Sequence, residues 1–203
     1  LRLASECHSC FDWLMPILNH YRREWSDVEL DFATGFEPEP HHLLQEGDID
    51  LLITTSNLPI EGISYQPLFE YESRLVLSPT HDLAEQPFIH AQDLVAETLI
   101  AYPVEAKRLD IIAHFMTPEE VSFKAIRTTE LTAMLIQLVA SERGVAALPD
   151  WVVSEYEKKG WVVSRPLGKG VYCQLYAATR TASQDIAYMQ GFASLLEGIV
   201  KPV

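Results

Sequence analysis

Four consecutive residues near the amino terminus, Cys7-His8-Ser9-Cys10, combine two thiols and an imidazole at a spacing that suits more than one chemistry. A Cys-x-x-Cys pair with a histidine is half of a zinc site. A closed tetrahedral site needs four ligands, however, and the remaining cysteine, Cys173, lies far away in sequence with no second pair beside it. At a helix start the same pair could act as a redox dithiol, or one thiol as a nucleophile, because the helix dipole lowers the thiol pKa. The backbone N–H groups of a helix start, together with Ser9, would equally cradle an anionic group. Cysteines also pack simply as small hydrophobes. The residues alone leave these readings open.

Other candidates follow predicted strands. They are the loop Gly35-Phe36-Glu37-Pro38, the run Thr54-Thr55-Ser56 and the pair Tyr102-Pro103. Hydroxyls at the ends of adjacent parallel strands can converge on a small polar ligand. Thr128-Thr129-Glu130 opens a further helix, where a carboxylate would be favoured, although capping is the ordinary role of such residues. Signatures of catalysis are missing: there is no G-x-S-x-G elbow, no phosphate-binding G-x-x-x-x-G-K-[ST] loop and no G-x-G-x-x-G fingerprint. Glu119-Glu120 and Glu37/Glu39 have no spacing that favours acid–base pairs over solvated turns. Adjacent His41 and His42 point to different faces of a helix and read as surface histidines. No catalytic residue, metal ligand set or cofactor is therefore assigned.

The elements that must position these residues alternate between strand and helix. Leu1 to Ser5 reads as a strand, and Phe11 to Trp25 as an amphipathic helix. Val28 to Phe32 has the alternation of a half-buried strand, and a short helix from about Pro38 stops at Gly47. Ile49 to Ile53 is a nearly continuous apolar run, as in a strand covered on both faces. Strands are predicted at Ile63–Leu68 and Arg74–Leu77, before Pro79, His81, Asp82 and Pro87 break the pattern at a crossing between lobes. Beyond it the spacing predicts strands at Thr98–Tyr102, Val121–Arg127, Val145–Leu148, Trp161–Arg165 and Val171–Ala178. Helices are predicted at Lys107–Met116, from a cap at Thr128 or Thr129 to Gly144, over Trp151–Lys159 and around Ile186–Ile199. This is an α/β chain with mostly parallel sheets, arranged as two lobes or one large domain.

Composition excludes several functions. With 203 residues, 15 Lys+Arg and 29 Asp+Glu, the net charge is −14, which argues against direct nucleic-acid binding and against an anionic membrane surface. At 48% hydrophobic residues the chain can bury a core. Neither a membrane span nor a signal peptide is read from it. Three cysteines are too few for a disulfide scaffold and point to a reducing, cytoplasmic setting. The chain opens directly on a strand without an initiator Met, as an excised domain would.

Several segments together resemble the effector-binding domain of the LysR-type transcriptional regulators. They are Leu14-Met15-Pro16, Val28-Glu29-Leu30 leading to Gly35, Leu43-Leu44 with Gly47-Asp48-Ile49-Asp50-Leu51, Pro67-Leu68, His81-Asp82-Leu83-Ala84, and Gly144-Val145-Ala146-Ala147-Leu148-Pro149. Departures are Ser26, where the family usually has Pro, and Asp82 in its His-Pro-Leu step. Within the family, four stretches are similar to the homocysteine-responsive regulators of methionine biosynthesis. These are Glu6-Cys7-His8-Ser9-Cys10-Phe11 with Trp13-Leu14-Met15-Pro16, Gln66 to Glu72, Glu97 to Pro103, and Ser141 to Pro149.

The resemblance implies two Rossmann-like lobes joined by two crossover segments, like a type 2 periplasmic binding protein. Lobe I would hold residues 1–78 and 180–203, and lobe II residues 79–179. It implies a winged helix-turn-helix upstream, which would carry the DNA contact. It implies homocysteine in the inter-lobe cleft against Cys7, His8, Ser9, Cys10, Phe36, Thr54, Tyr102, Pro103 and Pro149, with Glu6 or Glu130 for the ammonium group. The implied partners are a small-molecule effector, a second copy in a homodimer (a tetramer in the full-length protein), DNA through the upstream domain, and RNA polymerase. A free-standing solute-binding protein of the periplasmic type is the competing reading, since it shares the architecture.

Overall fold

The computed structural model describes residues 1–6, 10–33 and 40–197. In chain order its elements are β1 (Arg2–Ser5), α1 (Phe11–Glu24), β2 (Asp31–Phe32), α2 (Pro40–Glu46), β3 (Leu51–Thr54), β4 (Ile63–Leu77), β5 (Thr98–Ala101), β6 (Ala125–Thr128), α3 (Thr132–Ala140), β7 (Ala146–Pro149), α4 (Asp150–Lys158), β8 (Val163–Arg180) and α5 (Ala187–Glu197). The chain forms two compact units, Leu1–Glu70 with Gln174–Pro202, and Tyr71–Cys173. None of the described helices is long and apolar enough to cross a membrane.

In the first unit β1 is the middle of a parallel trio. Leu3 lies opposite both Phe32 of β2 and Leu51 of β3, and the far edge of β3 pairs antiparallel with the end of β8. All four residues of β3 are buried, as its unbroken apolar run predicts. The helix α1 presents Leu14, Leu18 and Tyr21 inward, each fully buried, and Tyr21 meets Phe192 of α5 edge to face at 5.1 Å. The Tyr21 hydroxyl donates to the Tyr188 carbonyl at 2.9 Å, and burial pushes its pKa up to about 12. The Gly-Asp-x-Asp step after α2 is a structural knot. Gly47 takes φ +85°, which favours glycine, and Asp50 accepts from the guanidinium of Arg180 (2.8 Å) and from the Arg2 backbone N–H (2.9 Å). The same guanidinium donates to the carbonyls of Leu44 and Ile49 at 2.9 and 2.5 Å.

In the second unit β5 and β6 pair in parallel, and β7 pairs antiparallel with β4. Val145 bridges onto β5, its N–H donating to Thr98 (2.9 Å) and its carbonyl accepting from Ile100 (2.7 Å). Gly144 makes this approach possible. Its φ is +151°, and an added Cβ would stand 2.2 Å from the Thr98 carbonyl oxygen.

Several expectations are corrected. The sheets are mixed rather than mostly parallel, because β3–β8 and β4–β7 run antiparallel. The two short strands expected at Ile63–Leu68 and Arg74–Leu77 are one 15-residue strand. Its inward residues Phe69, Tyr71, Ser73 and Leu75 keep period two through outward Glu70 and Glu72, which disguised the continuity. Likewise Trp161–Arg165 and Val171–Ala178 lie on the single 18-residue β8, which carries through Pro166, Gly168 and Gly170. The two units divide inside β4 and β8, at 70/71 and 173/174, not at 78/79 and 179/180, and the stretch around His81-Asp82 is a 3-10 turn within the second unit.

Lys107–Met116 is not a regular helix. A 3-10 turn at Ala106–Arg108 is followed by a π-helical turn at Ile112–Met116 and another 3-10 turn. The strand expected from Val121 begins only at Ala125, and the half-buried alternation from Val28 yields only the two residues of β2. Neither Thr128 nor Thr129 caps α3. Thr128 belongs to β6, the Thr129 N–H donates to Ala101 at 3.0 Å, and Leu131 stands at the cap position without a side-chain bond. The helix ends at Ala140, short of Gly144. His41 is buried, not a surface residue, with its ring 6.0 Å from that of Tyr65, whereas exposed His42 faces Glu46 at 3.2 Å.

Candidate functional site

The carboxyl ends of β1 and β3 are adjacent because the strands are parallel and in register, with Ser5 opposite Ile53. That pairing puts Glu6 beside Thr54. The Thr54 hydroxyl, fully buried, donates to the Glu6 carboxylate and accepts from the Ser56 N–H at 2.9 Å. One residue back, the Ser5 hydroxyl and the Cys10 sulfur lie 3.0 Å apart. Cys10 is fully buried at the cap position of α1, its carbonyl accepting the helix bond from Leu14 at 3.0 Å. Serine, carboxylate, thiol and threonine thus form one patch at the start of α1.

The same unit holds further buried polar groups. The Trp13 Nε1 and His41 Nε2 atoms are buried without a hydrogen-bond partner. Burial raises the Tyr65 pKa; the Leu58 backbone opposes the rise and the Glu6 charge adds to it, which places phenol and carboxylate within electrostatic reach.

In the second unit the predicted residues are more open. Tyr102 follows β5, half-buried, and its hydroxyl bonds to that of Thr132, the first residue of α3, at 2.8 Å. Pro103 is exposed, and so is Glu130 on the approach to α3. Pro149 is the last residue of β7, opposite Ser73, and stands at the cap position of α4.

Of the predicted positions, Cys10 and Thr54 come together in the first unit and Tyr102 joins the start of α3 in the second. Cys7, His8, Ser9 and Phe36 lie outside the described residues. Ser56 belongs to the hydroxyl run already named, whereas Ser5, Thr132, Trp13 and His41 were not singled out as ligand-binding residues. A usable signal existed for Ser5, which ends the first predicted strand.

Comparison with known proteins extends this picture. A family model described as the LysR substrate binding domain matches residues 1–199. The chain is 46% identical over 192 residues to the HTH-type transcriptional regulator MetR of Escherichia coli (strain K12), covering 95% of this chain and 60% of that protein. The chain therefore spans somewhat under two thirds of that relative's length. The solved regulatory domain of MetR, a LysR family regulator from N. meningitidis, superposes with a TM-score of 0.90 at 43% identity, covering 97% of this chain and 91% of that one. The regulatory domain of Synechocystis CcmR, solved in complex with 2-PG, superposes with a TM-score of 0.84 at 17% identity over the whole of this chain and 99% of its own, which speaks to fold alone.

Proposed function

This chain belongs to the LysR substrate-binding-domain family, and from that premise we propose that it is the effector-sensing part of a MetR-type transcriptional regulator with homocysteine as its effector. The observation that carries the reading is the patch at the carboxyl ends of β1 and β3, where Glu6, Thr54, Ser5 and Cys10 meet. Homocysteine is a zwitterion with a short thiol-bearing arm. Its ammonium group needs a carboxylate, and Glu6, held by Thr54, supplies one in a partly buried setting where the attraction is weakly screened. Exposed Glu130 is the weaker candidate for that role. The ligand carboxylate suits the N–H groups at the start of α1, where the helix dipole favours an anion. Its soft thiol suits an apolar or aromatic wall.

Regulation in this reading is a coupling between effector and DNA, and a coupling of about 1–3 kcal/mol changes affinity roughly 5- to 150-fold. The charge of −14 supports a DNA contact made outside these 203 residues. RNA polymerase is the further partner of that full-length protein, and the effector-sensing part works without enzymatic turnover in the cytoplasm. A homodimer forms through the apolar side chains Ile126, Leu131 and Met134, which stand 48%, 64% and 49% exposed on and after β6.

Calorimetric titration of homocysteine, methionine and cysteine into the 203-residue chain tests the reading. Saturable heat with homocysteine, and weaker heat with the other two, is expected. No heat and no thermal shift with millimolar homocysteine, while another amino acid gives both, overturns it.

A further inference from the structure

Three donor atoms of different chemistry converge in the second unit, away from the residues discussed so far. The carboxylate of Asp110, the imidazole of His114 and the thiol of Cys173 present ligand atoms that all lie within 4.8 Å of one another. Their origins are independent. Asp110 and His114 stand four apart on the irregular turn that ends in the π-helical stretch Ile112–Met116, while Cys173 is a buried residue of β8. The four-residue spacing puts the first two side chains on one side of their turn, and π-helical turns occur frequently at functional sites.

We propose that these residues form a binding site for a borderline-soft divalent ion, Zn²⁺ above all. The donor set decides the class of metal. One sulfur, one nitrogen and one oxygen suit Zn²⁺, whereas Mg²⁺ and Ca²⁺ require oxygen donors throughout. Charge agrees as well, since a thiolate and a carboxylate together balance a dication. On binding, the Cys173 sulfur gives its proton to solvent and forms the metal–sulfur bond, so occupancy releases one proton and weakens in acid.

The geometry is prepared on two sides. Asp110 is already oriented, because Tyr71, a buried residue of β4, donates its hydroxyl to Oδ2 at 2.8 Å, the kind of outer partner that holds a ligating carboxylate in place. Cys173 is fixed by its strand. His114 is exposed, and its freedom to rotate supplies the contraction from 4.8 Å to the closer spacing of a tetrahedral shell. Three protein donors leave a fourth position to water or an exogenous ligand.

The site is distinct from Cys7-His8-Ser9-Cys10, and the sequence concealed it because no motif spacing links Asp110 and His114 to Cys173. Cys173 and Tyr71 have one more property in common. They are the last and first residues of the second unit, where the chain passes along β8 and β4 to and from the first.

Titration of the 203-residue chain with Co²⁺, followed by competition with Zn²⁺, tests the proposal. The expected result is one ion per chain, with a thiolate-to-cobalt charge-transfer band and the visible bands of four-coordinate cobalt. These should persist in the Cys7→Ser/Cys10→Ser double variant and vanish in Cys173→Ser. Because His114 is exposed, His114→Ala should fold normally by circular dichroism yet weaken binding at least about tenfold; Tyr71→Phe, losing an outer-shell bond, should weaken it about 10- to 100-fold. The proposal is overturned if the native chain gives no charge-transfer band. It is equally overturned if the band follows Cys7 and Cys10 rather than Cys173, or if His114→Ala binds as tightly as the native chain.

Discussion

The two units use the same device, a parallel strand pair whose carboxyl ends lead toward a helix, and finish it differently. In the first, β3 is flanked by β1 and β8, all four of its residues are buried, and the polar side chains at its end bond to one another. In the second, β6 pairs with β5 and leaves all four of its residues exposed, and the polar contacts at that end include the hydroxyl pair of Tyr102 with Thr132. A carboxylate held in a half-buried patch has a strong and directional field. One on an open approach, such as Glu130, is screened by water and salt. In the proposed function, recognition of a ligand's charge therefore falls to Glu6 of the first unit.

The largest test of this contrast strikes the second unit's frame. Gly144→Ala places a methyl 2.2 Å from the Thr98 carbonyl, where backbone must move, and about 3 kcal/mol or more of stability should be lost. A lowered urea midpoint at unchanged slope is the expected reading; an unaltered midpoint would show that Val145 and β5 do not depend on this approach.

Next in size is the difference between the two carboxylates. Glu6→Gln should weaken effector binding about 10- to 100-fold, equal to roughly 1.4–2.8 kcal/mol, whereas Glu130→Gln should change it about twofold or less. Calorimetry on both variants measures the contrast, and a larger loss at Glu130 would reverse the assignment. The smallest effect concerns the exposed edge. Leu131→Asp puts a charge into the apolar patch after β6 and should weaken dimerisation about tenfold, or about 1.4 kcal/mol, as read by sedimentation equilibrium. Equal dimerisation by the variant would place the interface elsewhere.

The same contrast explains what was legible in the sequence. Leu51–Thr54 was readable because both faces are covered and every residue is apolar or small. Ala125–Thr128 was not, because an exposed strand carries no burial pattern, and the apparent alternation of Val121, Phe123 and Ala125 placed its start too early. Helices α1, α3, α4 and α5 followed their apolar periodicity to within a few residues. Both crossing strands were read as fragments, since Glu70 and Glu72 in β4 and Pro166, Gly168 and Gly170 in β8 imitate loop chemistry while the backbone ladder continues. In the site, Cys10 and Thr54 were found as ends of elements, whereas buried His41 was mistaken for a surface residue because helical periodicity does not say which neighbour covers a face.

By itself the sequence determined the alternation of strand and helix, the buried strand of the first unit, the acidity that argues against nucleic-acid contact by these residues, and the segments that carry the family resemblance. These follow from periodicity, composition and short contiguous runs, all of which are local. Only the tertiary structure decided which distant side chains meet. The register of β1 on β3 joins Glu6 to Thr54, and the path of β8 past an irregular turn brings Cys173 to Asp110 and His114. Strand register and crossover path are fixed by long-range pairing and packing, which no local spacing encodes.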